Sequence, residues 1–480
     1  MLRLCYGDGS DGSFWAWVTD LTIRHRCDQR LTEAPVTGDI PQSYRLKTVP
    51  PTDYAMSSEL NSAPRPSPTP KSESTATRRR FLRDLALSVG SPIVFFNQLP
   101  FDQIPEAIAQ QLATEPTIPD SKRQLTILSD RPLNAETPAH LLDDDITPYP
   151  LHFVRNNGHI PQRALDQNLA GWHLSIDGEV GTAKQFSLQE LQEGFKHHTA
   201  NITIECAGNG RAAYSPSASG NQWTLGAVAC SRYRGVRLRD VLNACGVKDS
   251  ALYIGYYGED PHLSRDPKRN AISRGVPIEK ALDPHTLLVW EMNGAPLPPE
   301  HGFPLRLICP GWPGSTCGKW LKRIWVRDQV HDGTKMTGSS YRVPREPVAA
   351  GETVPSESME IIEEMPVKSL ITRPQTGIKI GLGDRLELRG HAWSGTGKVQ
   401  RVDVTHDFGA TWVEAQLRPA PNRYAWQRWT AEFELPKRGY YEVWARATDD
   451  KGRMQPMIVP GWNPKGYLNN AMHRIAVRAI

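Results

Sequence analysis

The fold can be read outward from residues 201–241, NITIECAGNGRAAYSPSASGNQWTLGAVACSRYRGVRLRDV. This stretch begins as an alternating strand that places Ile202, Ile204 and Cys206 on one face, and it continues into a glycine-containing loop. The strand therefore brings a thiol to the edge of a loop rich in backbone N–H donors, and Arg211 follows at once. A soft thiolate beside guanidinium groups suits a metal centre that acts on an oxyanion.

Length and composition limit the possible number of domains, the fold class and the kinds of partner. The chain has 480 residues, which is enough for about two to three domains. Its formal net charge of +4 is too small to argue for nucleic-acid binding. The 40 prolines and 38 glycines favour a loop-rich α+β or β architecture over a helical bundle. The seven cysteines contain no CxxC pair, so neither a zinc ribbon nor a disulfide framework is indicated.

Residues 1–120 are predicted to be a leader. Within them, Arg78-Arg79-Arg80-Phe81-Leu82 precedes a moderately apolar segment at residues 85–96. Paired arginines before Phe-Leu and a weak apolar run are typical of a twin-arginine export signal, which predicts an exported, periplasmic protein. The apolar segment is too short to span a bilayer. Because such signals normally lie close to the N-terminus, Met56 is a candidate for the true start.

Residues 121–345 are predicted to form a mixed α+β domain, because short strands and helices alternate without a regular βαβ period. Ser187-Leu-Gln-Glu190 is a capping box that predicts a helix ending near Gly194. Leu238 to Cys245 is expected to be a second helix, stopped by Gly246. Strands are expected after the cysteine strand at residues 252–257, 286–292, 305–308 and 319–327.

The C-terminal part has a different pattern. Residues 346–366 are rich in Pro and Glu and are predicted to be an extended linker. Residues 367–480 contain short alternating segments separated by turn signals, which predicts an immunoglobulin-like β-sandwich. Strands are expected at residues 368–372, 385–389, 399–405, 411–417, 426–435 and 440–448.

Five motifs occur in the order seen in sulfite oxidases. They are FVRNN at 153–157, ECAGN at 205–209, EMNG at 291–294, HGFPLR at 301–306 and KWL at 319–321. From near Pro150 to the C-terminus the chain resembles that molybdopterin-dependent family, in its bacterial exported sulfite dehydrogenase type. The resemblance implies a molybdenum held by one pterin dithiolene and one protein thiolate. It also implies that the sandwich mediates homodimerisation.

The resemblance assigns Cys206 as the molybdenum ligand. The anionic pterin needs N–H donors and basic side chains. The residues that the resemblance implies for this role are Phe153, Val154, Arg155, Asn156, Asn157, Asp260, His301, Arg306, Cys317, Gly318 and Lys319. Without the resemblance, plainer interpretations stay open: a strand cysteine is more often a core residue, and Asp260 before Pro261 can simply shape a turn.

Arg155, Arg211 and Tyr341 match the substrate-site residues of the family. Lys465 stands where the family has a substrate-facing arginine; it keeps the charge but loses the bidentate fork, and a plain surface lysine is the alternative. Trp223 is expected to form a wall of the same pocket.

Two residues depart from the family pattern. Asn157 and Cys317 each stand where animal and plant sulfite oxidases usually have histidine, which indicates a bacterial branch. Cys317 is also a rival candidate for the metal ligand, but the ECAGN motif surrounds Cys206 instead.

The implied activity is molybdenum-dependent oxidation of sulfite to sulfate. No haem or flavin module is recognisable, so electrons are expected to leave to a separate acceptor, with a c-type cytochrome or oxygen as candidates. No nucleic acid and no membrane span are expected. One alternative is a sulfane dehydrogenase subunit of a thiosulfate-oxidising complex. The other is a non-catalytic β-sandwich interaction protein with a decayed enzyme domain.

Overall fold

The computed structural model describes residues 119–480. The predicted leader, its export signal and Met56 lie outside these residues. Within the described range, no helix is long and apolar enough to cross a membrane. Among the described residues, strands far outnumber the short helices, and the two kinds of element are mixed without a regular βαβ period, which agrees with the α+β prediction.

The first part of the described chain contains fifteen strands and four α-helices. The strands are β1 (Thr126–Asp130), β2 (Leu133–Glu136), β3 (Val154–Arg155), β4 (Leu174–Gly178), β5 (Lys184–Phe186), β6 (His197–Glu205), β7 (Val228–Arg237), β8 (Tyr253–Gly258), β9 (Gly275–Pro277), β10 (Leu287–Met292), β11 (Ala295–Pro296), β12 (Arg306–Ile308), β13 (Leu321–Arg327), β14 (Arg342–Pro344) and β15 (Met359–Ile361). The α-helices are α1 (Gln162–Leu165), α2 (Leu188–Gly194), α3 (Leu238–Cys245) and α4 (Ile278–Ala281).

Short 3₁₀ helices connect many of these elements. They are Asp120–Lys122, Ala139–Leu141, Tyr149–Leu151, Arg211–Ala213, Pro299–His301, Gly314–Thr316 and Ser356–Ser358.

Two five-stranded sheets organise this part. One has the order β11-β10-β7-β6, with β12 also paired to β10; the other has the order β5-β4-β13-β8-β9. Strand β10 is buried on both faces of its sheet. Leu288 packs in one hydrophobic core cluster, and the neighbouring Leu287 packs in another. Strand β6 lies at an edge of the first sheet and ends immediately before Cys206. The sheet therefore positions the cysteine of the opening motif.

Both predicted helices are confirmed. Helix α2 begins after Ser187, whose side chain accepts from the Glu190 N–H while the Glu190 carboxylate accepts from the Ser187 N–H. Helix α3 ends at Gly246, whose φ of 71° lies in the left-handed region that ends helices.

The proposed linker is partly ordered. Strand β15 falls within residues 346–366 and pairs antiparallel with β14, so a small two-stranded sheet lies between the two larger parts.

The predicted β-sandwich is confirmed. Its strands are β16 (Lys368–Arg373), β17 (Ile378–Ile380), β18 (Arg385–Trp393), β19 (Val399–Thr405), β20 (Val413–Glu414), β21 (Gln416–Leu417), β22 (Gln427–Glu434), β23 (Gly439–Asp449) and β24 (His473–Ala479). One sheet has the order β16-β18-β22-β21 and the other β17-β24-β23-β19-β20. The strand expected at 411–417 is divided, because β20 pairs with one sheet and β21 with the other. Strands β17 and β24 were not anticipated.

The sandwich packs directly on the cysteine-bearing sheet. Val228 and Cys230 of β7 share a buried cluster with Leu370, Trp393 and Trp426 of the sandwich.

A buried ion pair crosses the same boundary. The Lys368 Nζ lies 2.5 Å from a Glu205 carboxylate oxygen, and both side chains are almost fully buried. Trp393 Nε1 donates to the other Glu205 oxygen at 2.8 Å. The second part of the chain thus contacts the residue next to Cys206.

Candidate active site

The loop after β6 is fixed on both sides by Asn209. Its amide Nδ2 donates to Glu205 at 2.9 Å, and its Oδ1 accepts from the Ala227 N–H at 3.1 Å. The Cys206 N–H donates to the Ala227 carbonyl at 2.9 Å. These bonds hold the backbone around Cys206 in place, and they explain why the motif needs an asparagine after its glycine.

Three glycines enclose the guanidinium of Arg211. A Cβ at Gly208 would lie 2.3 Å from Arg211 Nη2, one at Gly220 2.8 Å from Nη1, and one at Gly466 2.7 Å from Cγ. Arg211 Nε donates to the Lys465 carbonyl at 2.5 Å. Side chains at these glycines would displace the arginine, so the backbone forms a tight sleeve around a single buried cation.

The C-terminal segment returns to the same loop. The Leu468 N–H donates to the Ala207 carbonyl at 2.9 Å, and Asn469 Nδ2 donates to the Gly210 carbonyl at 2.8 Å. Residues far apart in sequence therefore complete the surroundings of Cys206.

Two cavities meet at Cys206. The thiol cavity contains both Cys206 and Cys317 in its walls. The predicted cofactor-binding residues that line it are Phe153, Arg155, Asn157, Cys206, Asp260, His301, Arg306, Cys317 and Lys319. The cation cavity is lined by all four predicted substrate residues, Arg155, Arg211, Tyr341 and Lys465. Arg155, Cys206 and Tyr341 line both.

The thiol cavity has a buried donor without a protein acceptor in its wall. Arg306 is 6% exposed, and its Nε has no hydrogen-bond partner. Asn156, another predicted cofactor-binding residue, lines neither cavity, although its buried Nδ2 also has no partner. Lys319 Nζ donates to the carbonyls of Arg155 at 3.0 Å and Glu300 at 2.9 Å, and burial lowers its pKa well below the ordinary value. Buried polar groups normally have partners, so the unpartnered Nε of Arg306 suits an anionic ligand rich in acceptors.

Asp260 adds a hydrogen-bond acceptor to the thiol cavity. Burial raises the pKa of its carboxyl to about 7, although the nearby Lys319 acts in the other direction. A buried carboxyl of this kind is suited to accept from amine donors of a ligand. The cavity therefore fits a molecule that has anionic groups at one point and amines at another.

His301 lies in a buried network that the sequence did not predict. Lys122 Nζ is 3.0 Å from His301 Nε2 and donates to the His152 carbonyl at 2.9 Å. Burial lowers the pKa of Lys122 to about 7, and burial together with Lys122 lowers the pKa of His301 well below its ordinary value. His301 is therefore neutral. Lys122 lies in a sequence, Ser-Lys-Arg, that is typical of a protein surface, so no signal marks it.

The two cysteines of the thiol cavity differ in their surroundings. Cys317 Sγ accepts from the Cys309 N–H at 3.4 Å, and burial raises the pKa of its thiol. Cys317 therefore stays protonated, whereas Cys206 alone of the two also lines the cation cavity. This arrangement favours Cys206 as the metal ligand.

The cation cavity is positive and has no acidic residue in its walls. Lys465 Nζ donates to Ser219 Oγ at 2.9 Å, and Arg211 Nη1 donates to the Asn221 carbonyl at 2.8 Å. Arg155 Nη2 donates to Asn157 Oδ1 at 2.9 Å. These partners are neutral, so the cavity keeps the charge of its cations available for an anion.

Tyr341 forms the wall between the cavities. Its φ of 52° lies in the left-handed region, and its ring stacks on Tyr467 with centroids 5.4 Å apart. The guanidinium of Arg274 lies 4.8 Å from the ring of Tyr341, and two of its nitrogens have no partner. Arg274 belongs to none of the motifs that carry the resemblance, whereas Tyr467 lies two residues after Lys465.

Some predicted residues do not line either cavity. Val154 packs with Leu125 and Ala135 in a small core. Gly318 lets the ring of Tyr256 pack against the backbone, because a Cβ at this position would lie 2.6 Å from that ring. Trp223 was expected to wall the pocket but is fully buried in the core, since it packs behind the strand that ends at Cys206.

Comparisons with known proteins agree with this geometry. The model of the oxidoreductase molybdopterin binding domain matches residues 157–335, and that of the Mo-co oxidoreductase dimerisation domain matches residues 359–480. The sulfite oxidase of Gallus gallus is 35% identical over 382 residues, which cover 77% of this chain and 82% of that protein. The chain belongs to the sulfite oxidase family.

Other members of the sulfite oxidase family show the same relation. The mitochondrial sulfite oxidase of Mus musculus is 36% identical over 384 residues, covering 77% of this chain and 68% of that protein. The crystal structure of the sulfane dehydrogenase SoxCD from Paracoccus pantotrophus is similar with a TM-score of 0.59 at 26% identity. That match covers 80% of this chain and 96% of the other. The protein is therefore a molybdenum oxidoreductase whose cofactor is molybdenum bound to molybdopterin, and the unpartnered donors and the buried Asp260 fit that group.

Proposed function

We propose that this protein oxidises sulfite to sulfate and passes the electrons to a separate acceptor. One observation carries the proposal: the thiol of Cys206 lies where the cofactor-type cavity opens into a cavity walled by cations and by no carboxylate. A small, strongly hydrated anion needs several fixed donors to replace its water. The sulfite oxidases among the relatives support the same substrate.

The reaction consumes water and sulfite and yields sulfate, two protons and two electrons. When bound, the molybdenum cofactor supplies oxygen-atom transfer and accepts the two electrons. The chain supplies Arg155 and Arg211, which bind the substrate oxygens and stabilise the charge that develops on them. Tyr341 lines both cavities, so its hydroxyl is placed to donate a hydrogen bond to the bound substrate.

The crowding of cations favours sulfite over protein-bound sulfur. A sulfane dehydrogenase must admit a substrate attached to another protein, and it has less need of several charges around the reacting group. Here Arg211 is almost fully buried within its glycine sleeve, and Lys465 lies beside it. That arrangement suits a free oxyanion that can be desolvated completely.

We further propose that the protein is exported to the periplasm by the twin-arginine pathway, acts as a homodimer and reduces a c-type cytochrome. The export signal at residues 78–82 supports the first point. The match of residues 359–480 to a dimerisation domain supports the second. In the proposed organisation, residues 121–345 form the catalytic domain and residues 367–480 the dimerisation domain.

The decisive experiment assays the purified, molybdenum-loaded protein with sulfite and, in parallel, with thiosulfate. Cytochrome c, ferricyanide and oxygen are each offered as electron acceptors. Turnover with sulfite is expected with at least one of them. Absence of sulfite oxidation with all three acceptors overturns the proposal.

A pair of variants tests the substrate site. Arg211→Gln removes a charged hydrogen-bond donor and is expected to raise the KM for sulfite by about 10- to 100-fold. Arg234→Gln is the matched control, because Arg234 is exposed and pairs with Glu291 on the sheet surface. The control is expected to keep KM within about twofold. Equal KM values in the two variants would show that Arg211 does not bind the substrate.

Export is tested separately. Lys replacements of Arg78, Arg79 and Arg80 together are expected to leave the full-length protein in the cytoplasm, whereas the unmodified chain is recovered in the periplasmic fraction. Equal recovery from the periplasm would contradict the twin-arginine assignment.

A further inference from the structure

We propose that Lys335 is a fourth substrate-binding cation and that Asn157 holds it in the cation cavity. Lys335 lies in the wall of this cavity together with Arg155, Arg211 and Lys465. No sequence motif marks it. The identity of the anion rests on the proposed function, but the presence of an anion-binding lysine does not.

One amide oxygen brings two cations together. Lys335 Nζ and Arg155 Nη2 both donate to Asn157 Oδ1, at 2.5 Å and 2.9 Å. An amide oxygen has two lone pairs and no charge, so it can orient both donors without neutralising either of them. Asn157 therefore builds a doubly positive edge that faces the cavity.

Asn157 is also one of the two departures from the family pattern. A histidine at this position offers at most one acceptor nitrogen, and a protonated histidine offers none. It cannot orient an arginine and a lysine at the same time as Asn157 does here. We infer that Asn157 and Lys335 function as a pair in this chain.

The backbone on both sides of Lys335 is anchored. The Thr334 carbonyl accepts from the Ser273 N–H at 3.0 Å. Met336 is buried, and its carbonyl accepts from Arg342 Nε at 3.0 Å. Lys335 itself has a φ of 71°, a backbone conformation that residues other than glycine rarely adopt. Such a conformation persists only where the surroundings impose it, and such residues concentrate at ligand sites.

The electrostatic surroundings argue against a purely structural lysine. Among residues 119–480 no carboxylate lies within ion-pair distance of Lys335. Burial lowers the pKa of Lys335 to about 8; Arg155 and Lys465 act in the same direction, and Asp260 acts against them. Lys335 is only partly exposed, and its one hydrogen-bond partner given by the structure is the neutral amide of Asn157. In the proposal, a bound anion supplies the countercharge.

The test compares a dianion with a monoanion. Lys335→Met is expected to raise the KM for sulfite and the inhibition constant of sulfate by about 10- to 100-fold. Because a monoanion has half the Coulomb energy with the same cation, the inhibition constant of nitrate is expected to rise only about 3- to 10-fold. The value of kcat is expected to stay within about threefold, and Lys335→Arg to retain most of the affinity. Lys379→Met is the control, since Lys379 is exposed on β17.

Asn157→Ala and the double variant measure the pairing. If Asn157 acts through the cations that it orients, the loss of sulfate affinity in Asn157→Ala/Lys335→Met is smaller than the product of the two single losses. Independent, multiplicative losses would contradict the pairing.

Two results would overturn the assignment of Lys335. One is unchanged sulfate inhibition in Lys335→Met. The other is a loss of the same size for sulfate and nitrate, which indicates a general distortion of the site. Calorimetric titration of sulfate into the molybdenum-loaded protein decides the matter without turnover. A protein that binds sulfate through Lys335 but does not oxidise sulfite would refute the proposed function alone.

Discussion

The ion pair between Glu205 and Lys368 offers a quantitative test of how the sandwich supports the strand that ends before Cys206. Removal of the lysine in Lys368→Met leaves the Glu205 carboxylate buried with hydrogen bonds only from Asn209 and Trp393. Breaking a buried pair in this way costs about 3–5 kcal/mol, because the remaining charge is left without compensation.

The expected shift in melting temperature follows from the size of the described chain. With an unfolding entropy of about 2.1 cal/mol/K per residue over roughly 360 residues, a loss of about 3–5 kcal/mol lowers Tm by about 4–7 °C. The double variant Glu205→Gln/Lys368→Met has no buried charge left. It is expected to recover at least half of that loss, since neutral replacement of a buried pair is often close to neutral in energy.

Differential scanning calorimetry of the wild-type protein, both single variants and the double variant gives the coupling energy. Arg385→Met is the control, because its ion pair with Glu432 has a similar length of 2.6 Å but is exposed. The control is expected to change stability by about 1 kcal/mol or less. Additive losses in the two single variants, or a control as damaging as Lys368→Met, would refute the reasoning.

Three further predictions concern the site itself. Gly208→Ala is expected to raise the KM for sulfite by about tenfold or more, because the new Cβ displaces Arg211; steady-state kinetics check it, and an unchanged KM would contradict the sleeve. In cofactor-free protein, the raised pKa of Asp260 means that the folded state holds its proton, so the contribution of Asp260 to stability falls by about 4 kcal/mol between about pH 4 and pH 7. Buried histidines such as His301, whose pKa is lowered, act in the opposite direction below about pH 6.5. The measurement is therefore the difference in thermal unfolding between the wild type and Asp260→Asn across that range, and a constant difference would contradict the assignment. Cys206→Ala is expected to abolish sulfite turnover of the cofactor-loaded protein, whereas Cys317→Ala is expected to keep it; the opposite pattern would exchange the two roles.

The sequence anticipated those parts of the fold that short-range rules govern. The capping box at Ser187 and the stop at Gly246 depend on neighbouring residues, and both helices formed as expected. Strand β24 was missed although Ile475 and Val477 stand at alternate positions between Arg474 and Arg478, because it follows a long segment without regular structure. The division of 411–417 depends on which sheet each half pairs with, which no local pattern records.

The site residues that match family motifs could be predicted from the sequence, whereas those that only tertiary packing brings to the site could not. Arg155, Arg211 and Tyr341 were chosen by resemblance, and the structure brings them to one cavity. Lys122 and Lys335 escaped notice, because a lysine in a polar stretch is typical of a surface. Only the tertiary structure shows that Lys122 is buried and that Lys335 faces the cations.

The return of the C-terminal segment to the cysteine loop has a consequence for biosynthesis. Leu468 and Asn469 bond to the loop around Cys206, and the strand that follows them, β24, lies between β17 and β23. A ribosome-bound chain that lacks these last residues can already contain the complete ECAGN motif and yet have an open wall beside it. A chain that stops before Leu468 therefore keeps Cys206 but lacks the hydrogen bonds that complete its surroundings.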